Sequence, residues 1–272
     1  MDPVDSSGER FVLRRVRLEA AGPDAESRLA ALEAVRGQDL PGLARVEDAA
    51  LDGDSLEVVE RELAGIPLEQ ALARVEGPLT IALALAFVEE VAGALAGLHR
   101  LSAERGEGHG LVHGELSLER VRLLSDGRLE VFGLSGRTGA PAQDARGLLA
   151  LLAGLLAPRA STPEARSLLE KLDALRFASC EELGRALGGY LSRLSATDVL
   201  EQRSRFVAEA LAPRTPGSRT APERPRTAIP RRGPARPMTI AGPASSARSQ
   251  RPMEAAPATP PWPGASAARP HA

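Results

Sequence analysis

LVHGELSLERVRLLSDGRLEVFG, residues 111–133, is the stretch that decides how the rest of this chain is read. Its second half is a hairpin. Residues 121–124 and 129–132 are short, largely apolar runs either side of Ser125-Asp126-Gly127, and Asp-Gly is a strong turn signal. Its first half, with His113, Gly114 and Glu115, is a loop leading into the first of those strands.

Upstream, residues 80–101 predict a long helix whose Ala, Leu and Val content suits burial on most sides, followed by a polar, Gly-rich loop at 102–110. Residues 68–75 predict a short helix, and Gly65-Ile66-Pro67 closes a β-rich section before it. In that section 11–18 (FVLRRVRL) alternates as a strand. Ala21-Gly22-Pro23-Asp24 is a turn, and 26–35 is an amphipathic helix with Leu29, Leu32 and Val35 on one face. Residues 37–42 break that helix, and 43–51 with 55–62 form a strand pair around Asp52-Gly53-Asp54.

Downstream, three helices are expected at 144–157, 163–174 and 179–194, then an amphipathic piece at 196–211. Thr162 caps the second with Pro163 at its first position, and Ser179 with Glu182 makes a capping box for the third. Strands with one helix first, then helices around one later hairpin, define an α+β protein.

Composition divides the 272 residues unevenly. The body to 212 is acidic, whereas 213–272 is rich in Pro, Ala, Ser and Thr and carries ten Arg against two Glu. With few large apolar residues, that tail cannot offset its ordering entropy and is expected to be disordered, as are residues 1–10. Its arginines, Arg231 and Arg232 among them, suit acidic surfaces. Nucleic acid is not expected, because no aromatic residues are interleaved. Thr215 and Thr259, each before proline, are candidate phosphoacceptors, and Trp262 is a candidate docking element.

Cys180 is the single cysteine, and the four histidines (His99, His109, His113, His271) lack ligand spacing, so no metal site is expected. The longest apolar runs, 79–88 and 147–158, fall short of the roughly 20 residues that span a bilayer. With no leader at the N-terminus, the expectation is a cytoplasmic protein without a membrane partner.

Taken in order, these elements resemble a protein kinase, more narrowly a bacterial serine/threonine kinase domain. A working kinase carries H-R-D-L-x-x-x-N, a strand pair and D-F-G. This chain keeps His113, Leu116, the hairpin and Phe132-Gly133, and places Gly114, Glu115, Arg120 and Val131 at the Arg, Asp, Asn and DFG-Asp positions. FVLRRVRL resembles the third kinase strand, with Arg14 near the place of its lysine. Helix 26–35 stands where the C-helix belongs, with Glu33 the nearest candidate for the ion-pairing glutamate. VVERELAGIPLEQAL (58–72) resembles the strand into the hinge and the helix after it, and LALAFVEEVAGALAGLHR (83–100) the helix before the catalytic loop. Asp144 matches the aspartate that braces the catalytic loop from the buried F-helix. RFASCEELGRAL (176–187) resembles the closing R-P-x-S-A-x-E-L helix. The resemblance implies a kinase-like domain over 11–194, with a reduced N-lobe at about 11–63, a helical C-lobe at about 64–194 and a helical extension at 195–212.

The departures remove chemistry. Phosphoryl transfer relies on a Gly-rich loop, a strand Lys and Mg²⁺ held by the DFG Asp and the loop Asn. Only ten residues precede Phe11, with one glycine among them, so a Gly-rich loop between two strands is not expected there. Lys171 is the only lysine, and the chain has no asparagine. Arg120 would repel Mg²⁺, and Val131 offers hydrocarbon where the ion needs oxygen. Twelve residues separate Val131 from Asp144, too few for a peptide-binding activation segment.

The resemblance therefore implies a truncated, degenerate, pseudokinase-like domain. No catalytic residue, ATP, Mg²⁺ or other metal is expected, with His113 bracing the loop and Phe132 in the core. The function implied is regulatory binding to a protein partner, such as another kinase or signalling component. The alternative is an atypical kinase or transferase with residual ATP binding, in which Glu115 acts as base.

Overall fold

Two Asp-Gly turns set the strand framework. In the computed structural model, which describes residues 10–18, 23–104 and 110–213, Gly53 and Gly127 both take left-handed backbone, φ +60° and +84°. That conformation, cheap only for glycine, closes each hairpin. The first joins β2 (Val46–Asp52) to β3 (Ser55–Glu62), and β1 (Arg10–Arg17) pairs with the far side of β3 to give an antiparallel sheet of order β1-β3-β2. Arg10, expected in a disordered terminus, is the first residue of β1. β1 is an edge strand: among the described residues nothing pairs with its outer side, where Leu13 is 52% exposed.

Helix α1 (Pro23–Val35) packs against β2 through Ala25, Ala31, Leu32 and Val35. Leu43 and Ala44, expected as the start of β2, run elsewhere with Gly42. The Ala44 N–H donates to the Val131 carbonyl at 2.8 Å, and the Val131 N–H to that of Gly42 at 2.8 Å. They flank a second sheet made of β4 (Gly65–Pro67), β5 (Val121–Leu124) and β6 (Leu129–Val131), in that order and antiparallel. Gly65-Ile66-Pro67 is thus a strand in its own right, which the sequence reading took only as an ending. A Cβ on Gly65 would stand 2.4 Å from the Leu123 carbonyl oxygen, so only glycine permits this close pairing.

Helix α3 (Ile81–Glu104) is the axis of the helical part. It touches β6 and packs on α4 (Ala142–Leu156), α6 (Cys180–Leu191) and α7 (Ala196–Leu211). By length and hydropathy alone it could cross a bilayer, yet its apolar surface is spent on these neighbours, with Phe87, Leu95 and Leu98 fully buried. Phe87 meets Phe206 of α7 edge to face at 5.4 Å, a geometry worth about 1 kcal/mol beyond area burial.

Caps define the later helices. Thr162 Oγ1 accepts from the Ala165 N–H before α5 (Pro163–Ala174), and Ser179 Oγ from the Glu182 N–H before α6. Glu182 closes its box one residue early, on the Ala178 N–H at 2.9 Å. Helix α7 is tied to the body: Arg203 donates to the Gly127 carbonyl at 2.7 Å and to Glu90 at 2.5 Å, and Arg74 of α2 (Leu68–Arg74) to the Ala210 carbonyl at 3.1 Å. The expectations for residues 1–9 and 214–272, including Thr215, Thr259, Trp262, Arg231, Arg232 and His271, and that for His109, lie outside the described residues.

Candidate functional site

Strand alternation puts charge where core is expected. On β3, Leu56, Val58 and Glu60 are all buried, so Glu60 occupies the inward face. On β1, Val12, Arg14 and Val16 share that face, and the register sets Val12 opposite Glu60 and Arg14 opposite Val58. Arg14 and Glu60 are therefore diagonal neighbours, and charges so placed must be paired. Arg14 Nε donates to Glu60 Oε2 and Nη2 to Oε1, both at 3.0 Å. Their side chains are 15% and 4% exposed.

The same pair seizes the segment that follows β6. Glu60 also accepts from the backbone N–H groups of Gly133 (3.0 Å) and Leu134 (3.1 Å), while Arg14 Nη2 donates to the Leu134 carbonyl at 2.8 Å. One residue on, Arg28 of α1 donates from Nε to the Ser135 carbonyl at 2.9 Å. A Cβ on Gly136 would lie 2.2 Å from the Arg28 carbonyl oxygen, so the two backbones touch. Sheet and helix thus clasp residues 133–136 together.

Glu33 takes no part. It is exposed and pairs with Arg36 at 3.3 Å, because the 3.6-residue period of α1 turns Ala25, Arg28, Leu32 and Val35 inward and Glu33 outward. Arg14 finds its carboxylate on β3 and not on α1.

Arg120 brings a second guanidinium to the same place. Its Nη1 lies 3.0 Å, and that of Arg14 3.4 Å, from the point a Gly133 Cβ would occupy. Val131 is buried in the core. Phe132 is only half-buried: its ring carries the Arg122 guanidinium at 4.8 Å, and Arg122 reaches on to Glu62 (3.2 Å), Glu130 (3.4 Å) and the Leu63 carbonyl (3.2 Å). Burial pushes the Glu130 carboxyl up to about 7; Arg122 opposes this, and Glu60 and Glu62 add to it.

The loop of 111–120 is held from α4. Asp144, almost fully buried, accepts from the backbone N–H groups of His113 and Gly114, each at 2.8 Å, and from His99 Nε2 at 2.9 Å. Burial alone would raise its pKa, but the hydrogen bonds from His99, Gly114 and His113 prevail and hold it below the usual carboxylate value. His113 is wholly buried, and burial lowers its pKa. Its Nδ1 accepts from the Glu115 N–H (3.3 Å), so Nε2 carries the proton and donates to the Phe132 carbonyl at 3.1 Å. Glu115 is exposed and pairs with Arg137 at 2.7 Å.

Chemically, the Arg14–Glu60 clasp is satisfied, whereas Arg28 Nη2 and Ser135 Oγ beside it are buried without a hydrogen-bond partner among the described residues. The carboxylate that reaches Gly133 spends both oxygens on Arg14, Gly133 and Leu134, and two guanidinia, of Arg14 and Arg120, stand beside Gly133, two residues after Val131. Among the described residues no group of three His, Cys, Asp or Glu side chains converges. The sequence reading missed Glu60 and Arg28. The signal for both was a charge at a core-facing position of its period.

The fold is that of protein kinases, with a small β-rich N-terminal part and a mainly helical C-terminal part. The chain is similar to a point mutant of the Mycobacterium tuberculosis PknI kinase domain, at 22% identity over 66% of this chain and 84% of that one, TM-score 0.51. It is also similar to the BubR1 kinase domain, at 12% identity over 75% of this chain and 79% of that one, TM-score 0.52. Likeness at these identities establishes the fold alone. No family model matches the chain, and no curated protein does.

Proposed function

We propose that this kinase-like domain has given up phosphoryl transfer and acts as a protein-binding, regulatory module in signalling, with another kinase or signalling protein as its partner. One observation carries the reading. The Arg14–Glu60 pair is spent on each other and on the backbone of Gly133 and Leu134, the segment that follows the DFG-like position, which leaves neither side chain free for phosphate or Mg²⁺. Arg120 and Val131 at the metal positions support it, since neither supplies a hard oxygen ligand. Glu115, the residue left for a base, is engaged with Arg137. The arginine-rich segment beyond 213 serves as a tether to acidic surfaces.

The test is thermal melting against nucleotide. A ligand present at 100 times its Kd stabilises a fold by about 2.7 kcal/mol. Melting temperature is expected to stay flat up to millimolar ATP with Mg²⁺, and no phosphate transfer is expected. Micromolar affinity for ATP·Mg²⁺, with transfer that disappears in Glu115→Ala, overturns the reading in favour of an atypical transferase.

A further inference from the structure

A cleft of about 400 Å³ opens on the helical part, between the start of α4 and the turn joining α5 to α6. Its floor is apolar, from Ala145, Leu149 and Phe177, and its rim is charged, from Arg146, Arg176 and Asp173. Both arginines are exposed, and neither makes a hydrogen bond or ion pair from its side chain among the described residues. No ion pair joins either of them to Asp173. The cleft is therefore positive at its rim and greasy at its base.

Arg176 carries a second mark. Its backbone φ is +51°, the only left-handed non-glycine conformation among the described residues. A side chain bearing a Cβ loses stability there that glycine would keep. A guanidinium with no side-chain partner among the described residues stands at a position that glycine would fill better. The conformation itself is that of the residue that stops a helix, following the C-cap Leu175 of α5, where glycine is the usual choice.

We propose that this cleft docks an acidic segment of a partner protein, with an aromatic or aliphatic side chain seated against Leu149 and Phe177 and flanking carboxylates on Arg146 and Arg176. Charge selects this occupant. The chain's own tail, with ten arginines and two glutamates, carries the wrong sign. Guanidinium–carboxylate pairs supply direction, and the apolar floor supplies the anchor that binding energy concentrates on. The larger cleft beside α3, about 530 Å³, sets Asp39, Glu90 and Glu130 against Arg100 and Arg128, and so does not suit an acidic segment. The proposal rests on the reading of the domain as a protein-binding module and names where its partner sits.

The experiment uses the full chain and three fluorescein-labelled peptides followed by anisotropy: Gly-Glu-Glu-Phe-Glu-Glu-Gly, its Lys-for-Glu counterpart, and its Ser-for-Phe counterpart. The acidic aromatic peptide is expected to bind, the lysine version not to, and the serine version to bind more weakly. Arg146→Ala and Arg176→Gly are each expected to weaken binding about tenfold, while Arg176→Gly leaves the melting temperature unchanged or raised. Equal binding of the acidic and basic peptides, or binding indifferent to both substitutions, overturns the site. A lower melting temperature in Arg176→Gly overturns it as well, by making Arg176 structural. Either failure, with melting still blind to ATP·Mg²⁺, removes this docking surface alone. A nucleotide response removes the functional reading whatever the peptides do.

Discussion

Asp144 and Glu60 do one physical job in two regions of the molecule. Each is a buried carboxylate that takes two consecutive backbone N–H groups, His113 and Gly114 for one, Gly133 and Leu134 for the other. Each has a basic side chain alongside, His99 or Arg14. They differ in what they join. Asp144 holds a loop within the helical part, about 30 residues away in sequence, and keeps its shape whatever chemistry the loop performs. Glu60 reaches 73 residues, from the first sheet to the segment beyond β6, so the join between them is part of the fold's own stability.

Breaking the clasp gives the largest expected effect. Glu60→Ala leaves Arg14 buried without its counter-charge and two buried N–H groups unpaired, which costs about 3–5 kcal/mol by urea denaturation. A loss below about 1 kcal/mol would mean that the clasp does not hold the two sheets together.

Glu130 sharpens the comparison by its opposite sign. Its folded pKa, about 7, lies above the ordinary 4.5, so the folded state keeps a proton that the unfolded state has released. Stability is therefore expected to fall as pH rises from 4.5 through about 7, by up to about 3 kcal/mol, and Glu130→Gln should flatten that slope in urea midpoints taken across the window.

Asp144 runs the other way. Its folded pKa is depressed, so its contribution is whole above the ordinary carboxylate range and disappears as pH falls through the folded value. Asp144→Ala is expected to cost about 2–3 kcal/mol at neutral pH, from stranded donors, and to weaken the acid-side dependence of unfolding. The smallest effect falls outside both carboxylates. Phe132→Leu removes the ring under Arg122 and is expected to cost about 0.5–1 kcal/mol, visible as a small drop in melting temperature.

Local chemistry made most of the fold legible. Asp-Gly turns placed both hairpins, Thr and Ser caps placed the starts of α5 and α6, and helical period gave the inward face of α1. What escaped depends on contacts distant in sequence. Leu43 and Ala44 leave β2 because β6 offers them and Gly42 hydrogen bonds that the first sheet does not. Gly65-Ile66-Pro67 becomes a strand only because Arg122, Leu123 and Leu124 lie beside it. The site was half visible: His113, Arg120 and Gly133 fall out of the motif, whereas Glu60 and Arg28 are charges on core faces whose hydrogen-bond partners at 133–135 lie in no local window.

The open side of β1 bears on how the protein behaves in bulk solution. Arg10, Arg15 and Arg17 stand exposed along a strand whose outer side has no partner among the described residues, with Leu13 between them. Charge of this kind is how sheet edges avoid one another. At about 1 M salt the screening length shrinks to roughly 3 Å, and the charges of this edge, paired in part with Asp52, Asp54 and Glu57, no longer hold copies apart. Concentrated protein is thus expected to be monodisperse in dilute buffer and to scatter more light as salt is added, the reverse of assembly held by opposite charges.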